Sequence, residues 1–212
     1  MALIEFLKTL NKEQRLEWGN KNIDHTVARN VLGETLRHLE PRFKLDNEKV
    51  FDNVAHYLRR STEFKGDLDK GILFTGPTGT GKTLMLTAMK AAIQYFYRRG
   101  FAIYTGKQME HIMLREGGDR DKLERALKYS FFGFDDIGEE HDEVRVYGSR
   151  VNVGTDILTQ RHLEMSRKGS LTFGTTNLDR EHLALKYGDR IDSRMAEMFN
   201  IIPMVGNDKR KN

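Results

Sequence analysis

One octapeptide in the chain is built for anions. Gly76-Pro77-Thr78-Gly79-Thr80-Gly81-Lys82-Thr83 fits the pattern G-x-x-x-x-G-K-[ST]. Glycines let the backbone curl until successive N–H groups point inward at a phosphate. A helix starting at the end of the loop adds unpaired N–H groups and a partial positive charge. Lys82 supplies a full charge for the β- and γ-phosphates of a nucleotide, and the Thr83 hydroxyl can enter a Mg²⁺ shell. A flexible glycine turn would need neither residue.

Such a loop also needs a carboxylate at the end of a neighbouring strand. Phe131–Phe134 is uncharged, as an interior strand should be, and Asp135 and Asp136 stand at its carboxyl end. Ligands collect at that end of open α/β sheets. Asp135 is assigned to Mg²⁺, through water, and Asp136 to polarising the attacking water. Thr175-Thr176-Asn177 closes another apolar run, where Asn177 can meet the γ-phosphate or the lytic water; a turn built by Asn177 is the plainer alternative. Glu139-Glu140-His141-Asp142-Glu143 reads as a solvated acidic loop. Arg190 and Arg194 share one face if their segment is helical.

The elements that must position these residues follow from apolar spacing. Strands are expected at Gly71–Thr75, Phe101–Thr105, Phe131–Asp135 and Leu171–Thr175, with a fifth beginning at Ile201. Helices are expected over 84–99, 107–116, 120–129 and 151–168. Strands alternating with helices imply a mostly parallel sheet covered on both faces. Before residue 65 only helical spacing occurs, with stripes at Ile23, Val27, Val31, Leu32, Leu36 and Leu39, then at Val50, Val54, Tyr57 and Leu58. The division is a helical segment over 1–64, which packs on the main domain or docks a partner, and a nucleotide-binding domain over 65–212.

Composition narrows the class. A chain of 212 residues is one domain, or one with a small appendage. Cysteine is absent, which excludes disulfides, thiolate zinc sites and cysteine nucleophiles, and permits a reducing, cytoplasmic setting. The net charge of +4 tolerates a nucleic-acid partner without requiring one. No apolar run reaches the ~18 residues of a membrane span, and the N-terminus lacks the pattern of a signal peptide.

Four segments in order, Gly76–Thr83, Phe131–Asp136, Thr175–Asn177 and Gly188-Asp-Arg-Ile-Asp-Ser-Arg-Met195, together resemble the AAA+ ATPases. Within them the chain is similar to the DnaC/DnaI-type helicase loaders and their IstB transposition-helper relatives. Asp135-Asp-Ile-Gly-Glu139 resembles the Asp-Asp-Leu-Gly-Glu of that group, and Gly206-Asn-Asp-Lys-Arg210 its Gly-x-Ser-x-Arg close, with Asp208 replacing serine. The resemblance implies an α/β P-loop NTPase with a five-stranded parallel sheet in the order 5-1-4-3-2 and no full helical lid. It implies a slow, assembly- or partner-stimulated hydrolysis of ATP to ADP and phosphate, with Arg194, aided by Arg190, acting as an arginine finger on a neighbouring subunit. It further implies a homo-oligomer of ring or helical form, a replicative helicase as partner, and single-stranded DNA. The alternative is an IstB-like helper acting with a transposase on double-stranded DNA; a third reading is a nucleotide-dependent interaction module without turnover. Candidates for DNA contact are Lys107, Arg115, Arg120, Lys122 and Arg125 in the insertion over 107–129, with Arg145 and Arg150. Arg210 is a candidate sensing arginine.

Overall fold

The computed structural model describes Trp18 and residues 23–42, 48–114, 118–146 and 149–206. Along the chain, α1 (His25–Leu39) and α2 (Glu48–Leu58) lead to β1 (Gly71–Thr75) and α3 (Lys82–Tyr97). Then come β2 (Ile103–Thr105), α4 (Gly106–Leu114), α5 (Gly118–Leu127) and β3 (Phe131–Asp135). A hairpin of β4 (Val144–Val146) and β5 (Ser149–Val151) precedes α6 (Val153–Lys168) and β6 (Leu171–Thr176). The described chain closes with α7 (Arg180–Tyr187), α8 (Asp189–Met198) and β7 (Phe199–Pro203).

Five strands form one parallel sheet in the order β2-β3-β6-β1-β7. Numbering only these five along the chain and reading from the β7 edge gives 5-1-4-3-2, the expected order. β3 and β6 are buried at every position because both faces of the sheet are covered, whereas the edge strand β2 is half-buried. The period of two along a strand splits the core. Ile72 and Phe74 of β1 join α1, α2 and α3 on one face, where Val31, Leu32, Leu36, Val54, Leu58, Met85 and Met89 meet. Leu73 faces the other side with Phe132 and Phe134, under Leu158 of α6, Leu183 of α7 and Met195 of α8.

The apolar stripe of α1 is part of that first core. Ile23, Ala28, Val31, Leu32 and Leu36 are buried among the same residues that cover β1. Asp24 caps the helix by accepting from the backbone N–H groups of Thr26 and Val27. Arg29 ties α1 to α2 through Glu48 at 2.8 Å and through Asp52. The β4–β5 hairpin and the short helices α7 and α8 have no counterpart among the expected elements. Strands of three residues and helices of eight to ten leave too few repeats for a period to register.

Arg161 of α6 is fully buried. Its guanidinium donates to the carbonyls of Leu127 (2.5 Å), Tyr129 (2.8 Å) and Leu171 (2.9 Å) and to Thr172 Oγ1 (3.0 Å), and lies 5.5 Å from the centre of the Phe132 ring. It joins α6 to the turn before β3 and to the start of β6. Burial pushes its pKa down to about 10, against the opposing pull of Glu164. Arg161→Met would fill the space yet leave three carbonyls without their donor. We expect a loss of about 3 kcal/mol in urea unfolding, from the cost of orphaned buried polar groups; a loss below ~1 kcal/mol would show that the carbonyls find other partners.

Candidate functional site

The register brings β1, β6 and β3 to a common finish. Thr75 pairs with Thr176, and Phe134 with Gly174. The chain therefore leaves Thr75, Asp135 and Thr176 at one end of the sheet, and the segments singled out by their chemistry converge there.

Gly76 opens the loop at φ 140°, and a Cβ on it would stand 2.2 Å from the carbonyl oxygen of Met204. No side chain fits there without moving the strand end beyond β7. Gly81, at φ 93°, then turns the backbone into α3 and gives that helix no side-chain cap. By contrast α1, α6 and α7 are capped by Asp24, Asn152 and Asp179. The first N–H groups of α3 are left without a capping side chain, which suits an anion.

Lys82 is only 5% exposed. Its ammonium donates to the carbonyls of Gly76 and Pro77, both at 2.8 Å, and to Asn177 Oδ1 at 2.7 Å. Thr80 folds back within the loop to donate to the Pro77 carbonyl at 3.0 Å. Thr83 Oγ1 donates to Asp135 Oδ1 at 3.1 Å, joining the loop to β3. Asp135 is 6% exposed, and the same oxygen accepts from Thr175 Oγ1 at 2.6 Å. Thr175 Oγ1 in turn accepts from the Asp136 backbone N–H at 2.9 Å. That bond steadies Asp136, which sits at φ 54°, a left-handed conformation that aspartate tolerates better than most residues. Lys82 with Asn177, and Thr83 with Asp135, thus form two bonded pairs at the same end of the sheet, with Asp136 next to Asp135.

Thr175 is the residue that sequence reasoning under-weighted. Its signal is a hydroxyl near the end of a buried strand, where a buried polar group needs a partner.

The acidic run after β3 is exposed at Glu139, His141, Asp142 and Glu143, as a solvated loop should be. Glu140 departs from that expectation: it is 3% exposed, accepting from the Gly138 N–H at 3.1 Å and from the Tyr187 hydroxyl. Burial, followed by the Glu140 charge, pushes the Tyr187 phenol upward. Lys186 donates to the Glu140 carbonyl at 2.8 Å and to Asp142 at 2.5 Å, and this hydrogen bond holds the Asp142 carboxyl below its ordinary range. Buried Glu110 of α4 accepts from the His141 N–H at 2.5 Å and lies 2.9 Å from its Nδ1. Glu139 takes the Asn177 Nδ2 at 2.7 Å and pairs with Lys107 at 3.7 Å. Only Glu140 turns inward after the tight turn at Asp136–Gly138, and the bonds of the run to Glu110, Lys186 and Tyr187 tie α4 and α7 to the end of β3.

The structure does not join Arg190 and Arg194 to these pairs. Arg190 is exposed at the start of α8, while Arg194 is half-buried and donates to Thr159 Oγ1 of α6 at 2.8 Å. Asp192 is held by Arg180, at 2.9 and 3.2 Å. Of the candidate DNA contacts, Arg120 pairs with Glu124 and Arg150 with Glu143, Arg125 donates to the Asp121 carbonyl, and Lys122 lies on α5. Arg115, Arg210 and the Arg145 side chain fall outside the described residues.

Among the described residues no group of three or more His, Cys, Asp or Glu side chains could cage a metal. One carboxylate and one hydroxyl, Asp135 and Thr83, fit a Mg²⁺ that keeps waters and phosphate oxygens in its shell. A cavity of about 600 Å³ lies elsewhere, between α2 and the edge strand β7, and includes none of these residues. Among the described residues no helix is long and apolar enough to cross a membrane.

Comparison with solved structures supplies the deciding observation. A DnaI structure superposes with a TM-score of 0.63 at 21% identity, over 86% of this chain and 93% of that one. A DnaC helicase loader superposes with a TM-score of 0.60 at 20% identity, over 83% and 99% of the two chains. The chain shares the fold of these two structures. It also matches a replication initiator DnaA bound to AMPPCP and single-stranded DNA, with a TM-score of 0.56 at 17% identity, over 81% of this chain and 50% of that one. Among curated proteins, the chaperone protein ClpB 1 of Thermosynechococcus vestitus is 25% identical over 192 residues, 79% of this chain and 21% of that protein. The ATP-dependent zinc metalloprotease FTSH 9 of Oryza sativa subsp. japonica is 43% identical over 60 residues, 26% of this chain and 8% of that protein. The chain thus spans 8–21% of the length of these curated relatives. No protein-family model matches the chain.

Within the site, Thr175 is the link between two carboxylate positions. Thr175→Val keeps the shape but takes one of two hydroxyl donors from Asp135 and removes the acceptor of the Asp136 N–H. Thermal unfolding should report a loss of about 1–3 kcal/mol, the penalty for an unsatisfied buried donor. A midpoint equal to that of the parent protein would mean that the hydroxyl carries no structural bond.

Proposed function

We propose that the protein binds ATP with Mg²⁺ and hydrolyses it to ADP and phosphate, acting as a helicase-loader-like assembly ATPase in DNA replication. The observation that carries the reading is the pair of hydrogen bonds, Lys82 to Asn177 and Thr83 to Asp135, made by successive residues at a helix start without a side-chain cap. A buried ammonium, a hydroxyl and a carboxylate at one sheet edge answer the three needs of a triphosphate: charge neutralisation, metal support and a fixed γ-phosphate.

The roles follow from the positions. Gly76–Thr83 wraps the phosphates, with the N–H groups at the start of α3 and Lys82 directed at them. Mg²⁺, when bound, neutralises charge on the β- and γ-oxygens, and Thr83 and Asp135 are the residues that would hold it. Asp136 polarises the attacking water, and Asn177 faces the γ-phosphate side. The likeness to DnaI and DnaC supports a replicative helicase as partner, and the DnaA bound to single-stranded DNA supports that ligand. The segment before β1 docks the partner through the outer side of α1, where Val27 is exposed, since its inner stripe packs on the domain itself.

Lys82 is the only side-chain cation in the loop. Lys82→Ala should abolish most ATP affinity in a fluorescent-nucleotide titration while circular dichroism stays that of the parent. Unchanged affinity in the folded variant removes the phosphate site.

Arg190 and Arg194 are proposed to act on a neighbouring copy in a ring or helical homo-oligomer. Arg190 is exposed, and Arg194, one turn further along α8, is held by Thr159 of α6. Fingers delivered in this way are worth ~10³–10⁵ in rate in other NTPases. The Arg190→Ala/Arg194→Ala protein and the Asp136→Asn protein should each be nearly inactive alone. Mixed, they form interfaces that join an intact site to an intact finger, so phosphate release should return. Co-assembly without any return of activity contradicts delivery in trans.

A further inference from the structure

Asn177 is gripped from two sides by groups of opposite hydrogen-bonding character. An ammonium can only donate, so the end of the carboxamide 2.7 Å from Lys82 Nζ must be the oxygen. An ionised carboxylate can only accept, so the end 2.7 Å from Glu139 Oε1 must be the NH₂. The two partners therefore agree on one orientation of an amide that would otherwise be free to flip. Glu139 is itself fixed. Its backbone N–H donates to the Asp136 carbonyl at 3.1 Å, closing the turn after β3, and its second oxygen lies 3.7 Å from Lys107 Nζ.

The two grips are not equivalent once a nucleotide is present. Under the ATPase reading, on which this inference rests, Lys82 turns its ammonium toward the phosphates and the oxygen of Asn177 loses its donor. Glu139 is far enough along the turn to keep its hold on the NH₂. The amide oxygen then faces the space vacated by the ammonium, where it can accept a hydrogen bond from a water O–H but cannot donate to a phosphate oxygen.

We propose that Glu139 is a positioning residue for hydrolysis: it holds the Asn177 amide with its oxygen toward the attacking water. Without Glu139 the amide can flip, which withdraws the acceptor from the water. Glu139 thus acts on turnover through Asn177 and leaves nucleotide affinity alone. Lys107 damps the Glu139 charge near the phosphates, and as an exposed ion pair it contributes little energy of its own.

The test is a double-mutant cycle on turnover, paired with a measurement made without nucleotide. Glu139→Ala should lower kcat about tenfold with ATP affinity unchanged, the scale of one hydrogen bond acting on the barrier. Glu139→Gln keeps an acceptor for the Asn177 NH₂ and should recover most of that loss. In the Asn177→Ala background, Glu139→Ala should have no further effect, because residues that act through one another are not additive. Additive losses, a fall in affinity instead of kcat, or no rescue by glutamine would overturn the proposal. In nucleotide-free protein, the Asn177 side-chain NH₂ should show slow, protected proton exchange by ¹⁵N NMR, and Glu139→Ala should abolish it. Unprotected protons in the parent protein contradict the grip. If the parent protein hydrolyses no ATP, the ATPase reading fails, while the exchange measurement still decides the link between Glu139 and Asn177.

Discussion

A positive charge held almost out of water at the end of a parallel sheet sets the terms for this molecule. Lys82 is 5% exposed, and its ammonium is satisfied by two carbonyls of its own loop and by Asn177. An unpaired ammonium there would be costly, so the loop must curl and Asn177 must sit at the end of β6. The curl needs Gly76 against Met204, which fixes the loop to the strand end beyond β7. The position of Asn177 needs β6 beside β1 in the observed register. Sheet order, register and loop shape are thus all tied to one buried charge.

A second constraint runs across the sheet. Asp135 accepts from Thr83 and Thr175, so a single oxygen ties the loop, β3 and β6 together. The Thr175 hydroxyl also holds the backbone of Asp136, the start of the turn that aims Glu139 at Asn177 and buries Glu140. The far end of the sheet is fixed by different means, through the four hydrogen bonds of buried Arg161. The two ends are built from unlike chemistry. One keeps its polar groups matched to one another yet close to a loop that can release them; the other locks them to backbone carbonyls.

Much of this was legible in the residues. The loop octapeptide, the uncharged run before Asp135 and the polar tip at Asn177 each carry a signal that survives without coordinates, because each lies beside a strand long enough to show itself. What was not legible depends on where a chain turns back. The acidic run at 139–143 is exposed as expected except at Glu140, whose burial was not legible because charge alone says nothing of direction. The β4–β5 hairpin and α7 were missed because elements so short carry no period. Arg161 lay in an expected helix, but its burial follows from three carbonyls brought together by β3, β6 and α5, a meeting that no local pattern encodes. The stripe on α1 favours packing over docking, and in the structure it is buried against α3.

The central claim is that the common end of β1, β3 and β6 receives a triphosphate by exchanging the internal partners of Lys82 for phosphate oxygens. A crystal structure with Mg²⁺ and a non-hydrolysable ATP analogue tests this most directly. The account predicts that Lys82 Nζ leaves Asn177 Oδ1 and lies within hydrogen-bond distance of β- and γ-phosphate oxygens, with Asp135 and Thr83 on the metal side and the NH₂ of Asn177 still on Glu139. An analogue bound elsewhere, with the bonds of Lys82 to Gly76, Pro77 and Asn177 intact, would contradict it.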